Sequence, residues 1–223
     1  MIDFSLIETL RWQPGEGFIR LRLHLARLSR SARRLGFPQP IDAAAKLDDA
    51  VAGAAGPLRV RLTFDPQGRI AVTSAAFTPL APDTTWTVRL AETRLDSADR
   101  LLRVKTTRRA VYEAARAEYT SAEADEVILL NERGDVCEGT ITSIFLDDGT
   151  GMLRTPPISC GLLAGVLRTE LICARKARVG RLTLADLDAG TLYVGNSLRG
   201  LIRASLLRTD HVHSLPHLSQ SQR

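Results

Sequence analysis

Residues 125–148 read DEVILLNERGDVCEGTITSIFLDD, and within them lie three apolar runs, DEVILL, DVCEG and SIFLDD. NERG and a second short loop separate the runs, so they read as three strands, the first two joined as a hairpin. A chain with this segment at its centre has to be built around a sheet. Its flanks supply the rest. Residues 4–11, FSLIETLR, alternate; WQPGEG is a Pro-Gly turn and FIRLR reads as a second strand. HLARLSRSARRLGF carries Leu25, Leu28 and Leu35 at helical spacing and ends on Gly36 in the cap position, with Pro38 beyond. His24, Arg27, Ser31 and Arg34 form its polar stripe. Asp42 can cap a second helix, AAAKLDDAVAG, and PLRVRLTFD and RIAVTSAAF make a hairpin about PQG.

TPLAPDT, residues 78–84, has two prolines and no periodicity and reads as a linker. Beyond it come the strands TWTVRLA and RLLRV, an Ala-rich helix over Thr107–Glu123, the three central strands, a helix GLLAGVLRTELICARKA and a strand GTLYVGNSLRG ending in a polar loop. The expected fold class is therefore α+β in two domains. A small N-terminal domain spans 1–80, a larger C-terminal domain built on a sheet spans 85–208, and 209–223 is a frayed tail.

The 223 residues suffice for a sizeable core, and no apolar run approaches the ~20 residues of a membrane span. The N-terminus, MIDFSLIETLRW, lacks the basic and apolar pattern of a signal peptide. Cys137, Cys160 and Cys173 have no CxxC spacing and read as free thiols of a reducing, cytoplasmic compartment. A pI near 9.5 invites nucleic acid. Against it, basic and acidic residues are interspersed and the few aromatics are dispersed, so an anionic small molecule is the better partner. Three of the four histidines, His211, His213 and His217, lie in the tail without a Cys neighbour and read as solvated rather than metal-binding. The fourth, His24, sits among arginines, which leaves no Ser-His-Asp machine.

Of 30 lysines and arginines only Lys46, Lys105 and Lys176 are lysine. In such an arginine-rich chain, a retained lysine points to an amine that must lose its proton and attack. Lys105 sits where RLLRV meets a helix. A cofactor with an aldehyde, a pyridine ring and a phosphate needs three kinds of partner: an amine, a carboxylate facing the ring nitrogen, and helix-start amides with a cation. Lys105 offers the amine and Glu138, in DVCEG, the carboxylate. Gly161 and Gly165 flank a helix start, and Ser197 in VGNSLRG offers a hydroxyl at a strand end. Taken singly, each has an ordinary structural explanation; the order and spacing of all four favour chemistry.

The motifs IETLRW, LHLARLSRSARRLGF, VKTTRRAVY, DEVILLNERGDVCEGTITSIF, TPPISCGLLAGVLR and VGNSLRG run in order along nearly the whole chain. Jointly they resemble the class IV aminotransferases, pyridoxal 5'-phosphate enzymes of fold type IV. That family includes branched-chain and D-amino-acid aminotransferases and 4-amino-4-deoxychorismate lyase. KTTRRAVYEAA and NSLRGLIRA look closest to the lyase branch, in particular to lyase modules fused to aminodeoxychorismate synthase, which makes that synthase a candidate partner. The resemblance implies that Lys105 holds the cofactor as an imine and shuttles protons, and that Glu138 pairs with the ring nitrogen. Arg27, the backbone at Gly165, Val166 and Leu167, and the Ser197 hydroxyl would hold the phosphate, with Leu163 against the ring. The amides of Leu198 and Arg199 would receive the substrate carboxylate, and the Arg199 and Arg109 side chains would contact its acid groups. It also implies a homodimer and a C-terminal sheet that can close into a pseudo-barrel.

Departures from the family pattern carry information. Branched-chain enzymes have a tyrosine where this chain has Ala110, with Tyr112 two residues on. Leu167 replaces a hydroxyl residue and Ser143 an asparagine. Family members also carry a segment ahead of the equivalent of IETLRW; its substrate-shaping residues are missing here or come from elsewhere, a partner subunit being one source. The expected activity is release of pyruvate from 4-amino-4-deoxychorismate. The alternatives are an aminotransferase of branched-chain or D-amino acids, or an inactive cofactor-binding homologue.

Overall fold

In the computed structural model, residues 3–208 are described; the tail with His211, His213 and His217 lies outside them. Strand β1 (Leu6–Gln13) pairs antiparallel with β3 (Leu58–Phe64). A two-residue strand β2 (Gly17–Phe18) lies on one edge and β4 (Ile70–Ala76) on the other. Helices α1 (Leu21–Leu35) and α2 (Ala43–Asp49) cover one face. Strand alternation explains the layering. Leu6, Leu10, Val60, Leu62 and Phe64 meet Leu28, Ala32 and Leu47 in a dry core. Ile7, Thr9, Arg59 and Arg61, one residue out of phase, line the cavity described below.

A second sheet has strands β5 (Thr85–Leu95), β6 (Glu126–Asn131), β7 (Val136–Gly139), β8 (Ser143–Asp147), β9 (Leu153–Thr155), β10 (Ala177–Val179), β11 (Thr191–Asn196) and β12 (Gly200–Leu206). Their order is β10-β9-β8-β11-β12-β5-β6-β7. β7 returns to β8 through Glu138 and Ser143, which closes six strands into a barrel. Helix α3 (Ala110–Ala117) packs on β5, α4 (Val166–Cys173) on β10 and β11, and α5 (Leu184–Ala189) precedes β11. Residues 77–84 run without strand or helix from β4 to β5. The fold is α+β, and the central hairpin and the third strand stand where the sequence put them. Among the described residues no helix is long and apolar enough to cross a membrane, and the three cysteines are free.

Several elements differ from expectation, each for a local reason. Only Phe18 of FIRLR is strand, in the short β2: Arg20 turns left-handed (φ 61°) and α1 begins at Leu21. RLLRV is a 3-10 turn, Arg100–Arg103, which starts where the Asp99 side chain accepts from the Leu101 amide. The helix expected from Thr107 starts only at Ala110, because residues 105–107 lie extended along β1. Ile7 N donates to Lys105 O (2.8 Å) and Thr107 N to Ser5 O (2.9 Å). It also stops early, where the Glu118 carboxylate receives the amides of Glu92 and Thr93. Asp42 precedes α2 but its side chain makes no cap bond. The helix expected from Gly161 begins at Val166, and Gly161 itself is left-handed (φ 87°), a conformation that favours glycine. Strands β9, β10 and β12 and helix α5 have too little periodicity to be read from sequence.

Candidate active site

A cavity of about 490 Å³ opens between the two sheets, and the residues of the conspicuous motifs meet there. Lys105 is held by the backbone it shares with β1, so its position is set by strand pairing. Burial, with Arg27 and Arg109 nearby, pushes its amine down to about 8. Glu138 enters from β7. It is 5% exposed. Burial raises it to about 7, opposed by the Tyr112 hydroxyl (2.7 Å) and the Leu163 amide (3.2 and 3.3 Å to its two oxygens). A carboxylate and an amine thus face one cavity, each with its proton loosely held near neutrality.

The start of helix α4 adds an anion cup to the lining. Helix α4 starts at Gly165 with no side-chain cap, and the amides of Val166, Leu167 and Arg168 find no acceptor among the described residues. Unsatisfied amides at a helix start attract anions. A Cβ at Gly165 would lie 2.6 Å from Ser143 Oγ, so this backbone is open only because the residue is glycine. Arg27 reaches the cup from α1. Its Nε and Nη2 grip Glu8 (2.8 and 2.7 Å) and its Nη1 donates to Ala164 O (3.3 Å). Two of its five guanidinium hydrogens remain. Arg27 holds Glu8 at about 2, although burial alone would raise that carboxyl. Ser197 lines the same cup and hydrogen-bonds His24 Nε2 at 2.8 Å.

On the substrate side, Leu198 and Arg199 line the cavity, but their amides both donate to Asn196 Oδ1 (3.1 and 3.0 Å). In this structure those amides shape the turn that follows β11. Arg199 stacks over Trp86 (5.6 Å). Arg109 stacks over Tyr112 (4.8 Å) and donates to Thr140 O. Leu163 lines the cavity beside Glu138.

Sequence reasoning missed Glu8, His24, Tyr112, Arg59 and Arg61 as site residues. Signals for some were present. Alternation places Glu8 on the same strand face as Leu6 and Leu10, where a carboxylate needs a partner. The same alternation sets Arg59 and Arg61 opposite the buried Val60 and Leu62. His24 lies one helical turn before Arg27. Nothing in the sequence announces the contact between Tyr112 and Glu138.

A deprotonatable amine, a buried carboxylate and a cup of amides with an arginine fit an aldehyde, a ring nitrogen and a phosphate, the three groups of pyridoxal 5'-phosphate. The sequence model of the amino-transferase class IV family matches residues 5–207, and the chain belongs to that family of pyridoxal-phosphate-dependent enzymes. A candidate amino-acid aminotransferase from Mesorhizobium loti is 51% identical, with a TM-score of 0.90 over 92% of this chain and 100% of that one. The 4-amino-4-deoxychorismate lyase of Pseudomonas aeruginosa is 24% identical (TM-score 0.76, 91% and 83% covered). A hypothetical aminotransferase from Mycobacterium tuberculosis in its PLP-bound form is 21% identical (TM-score 0.78, 91% and 81%). The last two likenesses show the fold. No curated protein matches.

Proposed function

We propose that the protein is a 4-amino-4-deoxychorismate lyase, releasing pyruvate to leave 4-aminobenzoate. The observation that carries this reading is the charge of the cleft. Arg59, Arg61, Arg108, Arg109 and Arg199 all line it, and among the described residues none lies within ion-pair distance of a carboxylate. A substrate with two carboxylates suits such a wall. Ala110, small where branched-chain enzymes carry tyrosine, leaves room for a ring.

When bound, pyridoxal phosphate supplies an aldehyde that captures amines and a ring that draws electrons from the adjacent carbon. The protein's own residues do the rest. Glu138 keeps a negative charge beside the ring nitrogen. The arginines orient the acid groups. Lys105 Nζ, with its proton affinity lowered, takes the proton from the amine-bearing carbon. A C–H and a C–O bond break, the substrate ring becomes aromatic, and no keto acid is consumed. On the same reading the enzyme acts as a cytoplasmic homodimer in folate synthesis.

A second reading has one observation in its favour, the 51% identity to a candidate amino-acid aminotransferase. Both share Lys105 and Glu138 and differ in whether a keto acid takes up the amine. The test is pyruvate release from 4-amino-4-deoxychorismate by cofactor-loaded protein with no keto acid present. Release that is lost in Lys105→Ala supports the lyase. A yellow protein that releases none, yet transfers an amine from an amino acid to a keto acid, overturns it.

A further inference from the structure

Behind the anion cup lies a hydrogen-bonded chain that none of the roles above uses. Glu8 Oε2 meets His24 Nδ1 at 2.6 Å, and His24 Nε2 meets Ser197 Oγ at 2.8 Å. His24 is 1% exposed and Glu8 2%, and Ser197 is buried. Proton counting along this chain has one solution for each charge state of the imidazole. Glu8 is ionised and can only accept, so Nδ1 carries a hydrogen. In a neutral ring Nε2 is then bare, and the Ser197 hydroxyl must spend its only proton on it. What Ser197 turns toward the cup in that state is lone pairs, the wrong sign for a phosphate. If the ring is an imidazolium, Nε2–H donates to Ser197 Oγ instead, and the hydroxyl hydrogen swings into the cup.

We propose that His24 is a positioning residue that couples binding of the cofactor's phosphate to uptake of one proton from solvent, with Ser197 turning its hydroxyl to the phosphate only when His24 is charged. No covalent bond changes other than the N–H gained at Nε2. The surrounding charges are balanced for such a switch. Among the protein's own groups, burial disfavours the imidazolium, as do Arg27 on α1 and Lys105 on the segment beside β1; Glu8 on β1 favours it. Arg20, on the Ser197 carbonyl, is paired with Glu170 of α4. A phosphate dianion adds two negative charges on the far side of Ser197 and tips the balance. The inference rests on the family's cofactor and is independent of which reaction the enzyme performs.

The experiment uses 4-deoxypyridoxine 5'-phosphate, which has the phosphate and ring but no aldehyde, and phosphate-free 4-deoxypyridoxine as its control. ¹⁵N NMR of the apoprotein at pH 8 should show His24, assigned by its loss in His24→Gln, with one protonated and one bare nitrogen. Saturation with the phosphate ligand should protonate both, with ³¹P NMR reporting a bound dianion; the phosphate-free ligand should leave the ring neutral. Affinity for the phosphate ligand should fall about tenfold per pH unit where the proton is linked. Ser197→Thr should retain that slope and Ser197→Ala should flatten it. A neutral His24 beside a bound phosphate, or a bound phosphate monoanion donating to Ser197, overturns the proposal. Should His24→Gln fail to fold, the Ser197 pair and the NMR of the unsubstituted protein still decide.

Discussion

Tyr112 donates its hydroxyl to Glu138 Oε1 at 2.7 Å, across 26 residues of sequence. One oxygen of the carboxylate is therefore occupied before any ligand arrives. Burial and the neighbouring carboxylate push the tyrosine's own pKa up, so it stays a donor at all working pH values. Its bond favours the charged form of Glu138 against the burial that holds this group near 7. A hydrogen bond to a charged group contributes about 1.5–3 kcal/mol, or about one to two pH units. Tyr112→Phe should thus move the acid limb of the kcat/KM profile upward by about one unit or more. An unmoved limb would take Tyr112 out of this role.

The same balance predicts a variant that is more stable and less active. Glu138 is raised from 4.5 to about 7 in the folded protein. The stability associated with its neutral form is complete below about 4.5 and lost as pH rises through 7. By pH 8 the buried charge costs on the order of 3 kcal/mol. Glu138→Gln removes that charge and keeps an acceptor for Tyr112. Urea unfolding of the apoprotein should find it about 1–3 kcal/mol more stable than the unsubstituted protein at pH 8 and nearly equal at pH 4.5, while turnover of the loaded enzyme drops at least ~100-fold. Equal stability at both pH values would mean that burial does not govern Glu138.

Much of this arrangement is legible in the chain, and the boundary is instructive. DEVILL, DVCEG and SIFLDD are strands because apolar runs between turn residues have few alternatives. Lys105 and Glu138 stand out because a scarce lysine and a glutamate among apolar residues each violate a local habit. RLLRV misleads for the opposite reason. Its residues suit a strand, but the Asp99 side chain starts a 3-10 turn from two residues away, and β1, about a hundred residues distant, claims residues 105–107. Glu8 was readable in principle, being a carboxylate on the apolar face of an alternating strand. Its partners, Arg27 and His24, are set by how α1 lies across that strand, which no periodicity encodes.

Lys105 makes a prediction about rate. With its amine near 8, about one molecule in ten has it uncharged at pH 7; at the ordinary 10.5, about one in three thousand would. Raising pH frees the amine, so capture of pyridoxal phosphate by the apoprotein should accelerate with a midpoint near 8. A midpoint at 10 or above would contradict the desolvated cleft. Lys105→Ala and Lys105→Arg should both lose turnover, since neither has a primary amine. Lys105→Ala should not melt more than about 3 °C below the parent, because the side chain faces a cavity and fills no core, and at pH 7 relief of the buried charge should raise its melting temperature.

Two glycines that line the cleft separate stability from binding. A Cβ at Gly139 would stand 2.3 Å from Thr142 Oγ1 and 2.7 Å from Glu126 Oε2. Neither atom can retreat cheaply. Glu126 is fully buried and receives the Thr140 amide and hydroxyl, the Ile141 amide and the Thr142 hydroxyl, bonds that hold the loop next to Glu138. Gly139→Ala should cost about 2–4 kcal/mol in urea unfolding through overpacking and broken hydrogen bonds. At Gly165 the obstacle is a single hydroxyl, Ser143 Oγ at 2.6 Å, while Ser143 Cβ stands at 3.9 Å. Backbone conformation there suits alanine (φ −57°). Gly165→Ala should therefore leave stability within about 1 kcal/mol and weaken binding of pyridoxal phosphate about tenfold, by crowding the amides that begin α4. Adding Ser143→Ala should restore most of that affinity, a non-additivity that a double-mutant cycle on cofactor Kd measures directly. Additive losses would place the fault in the methyl group's contact with the cofactor and not in the crowded cup.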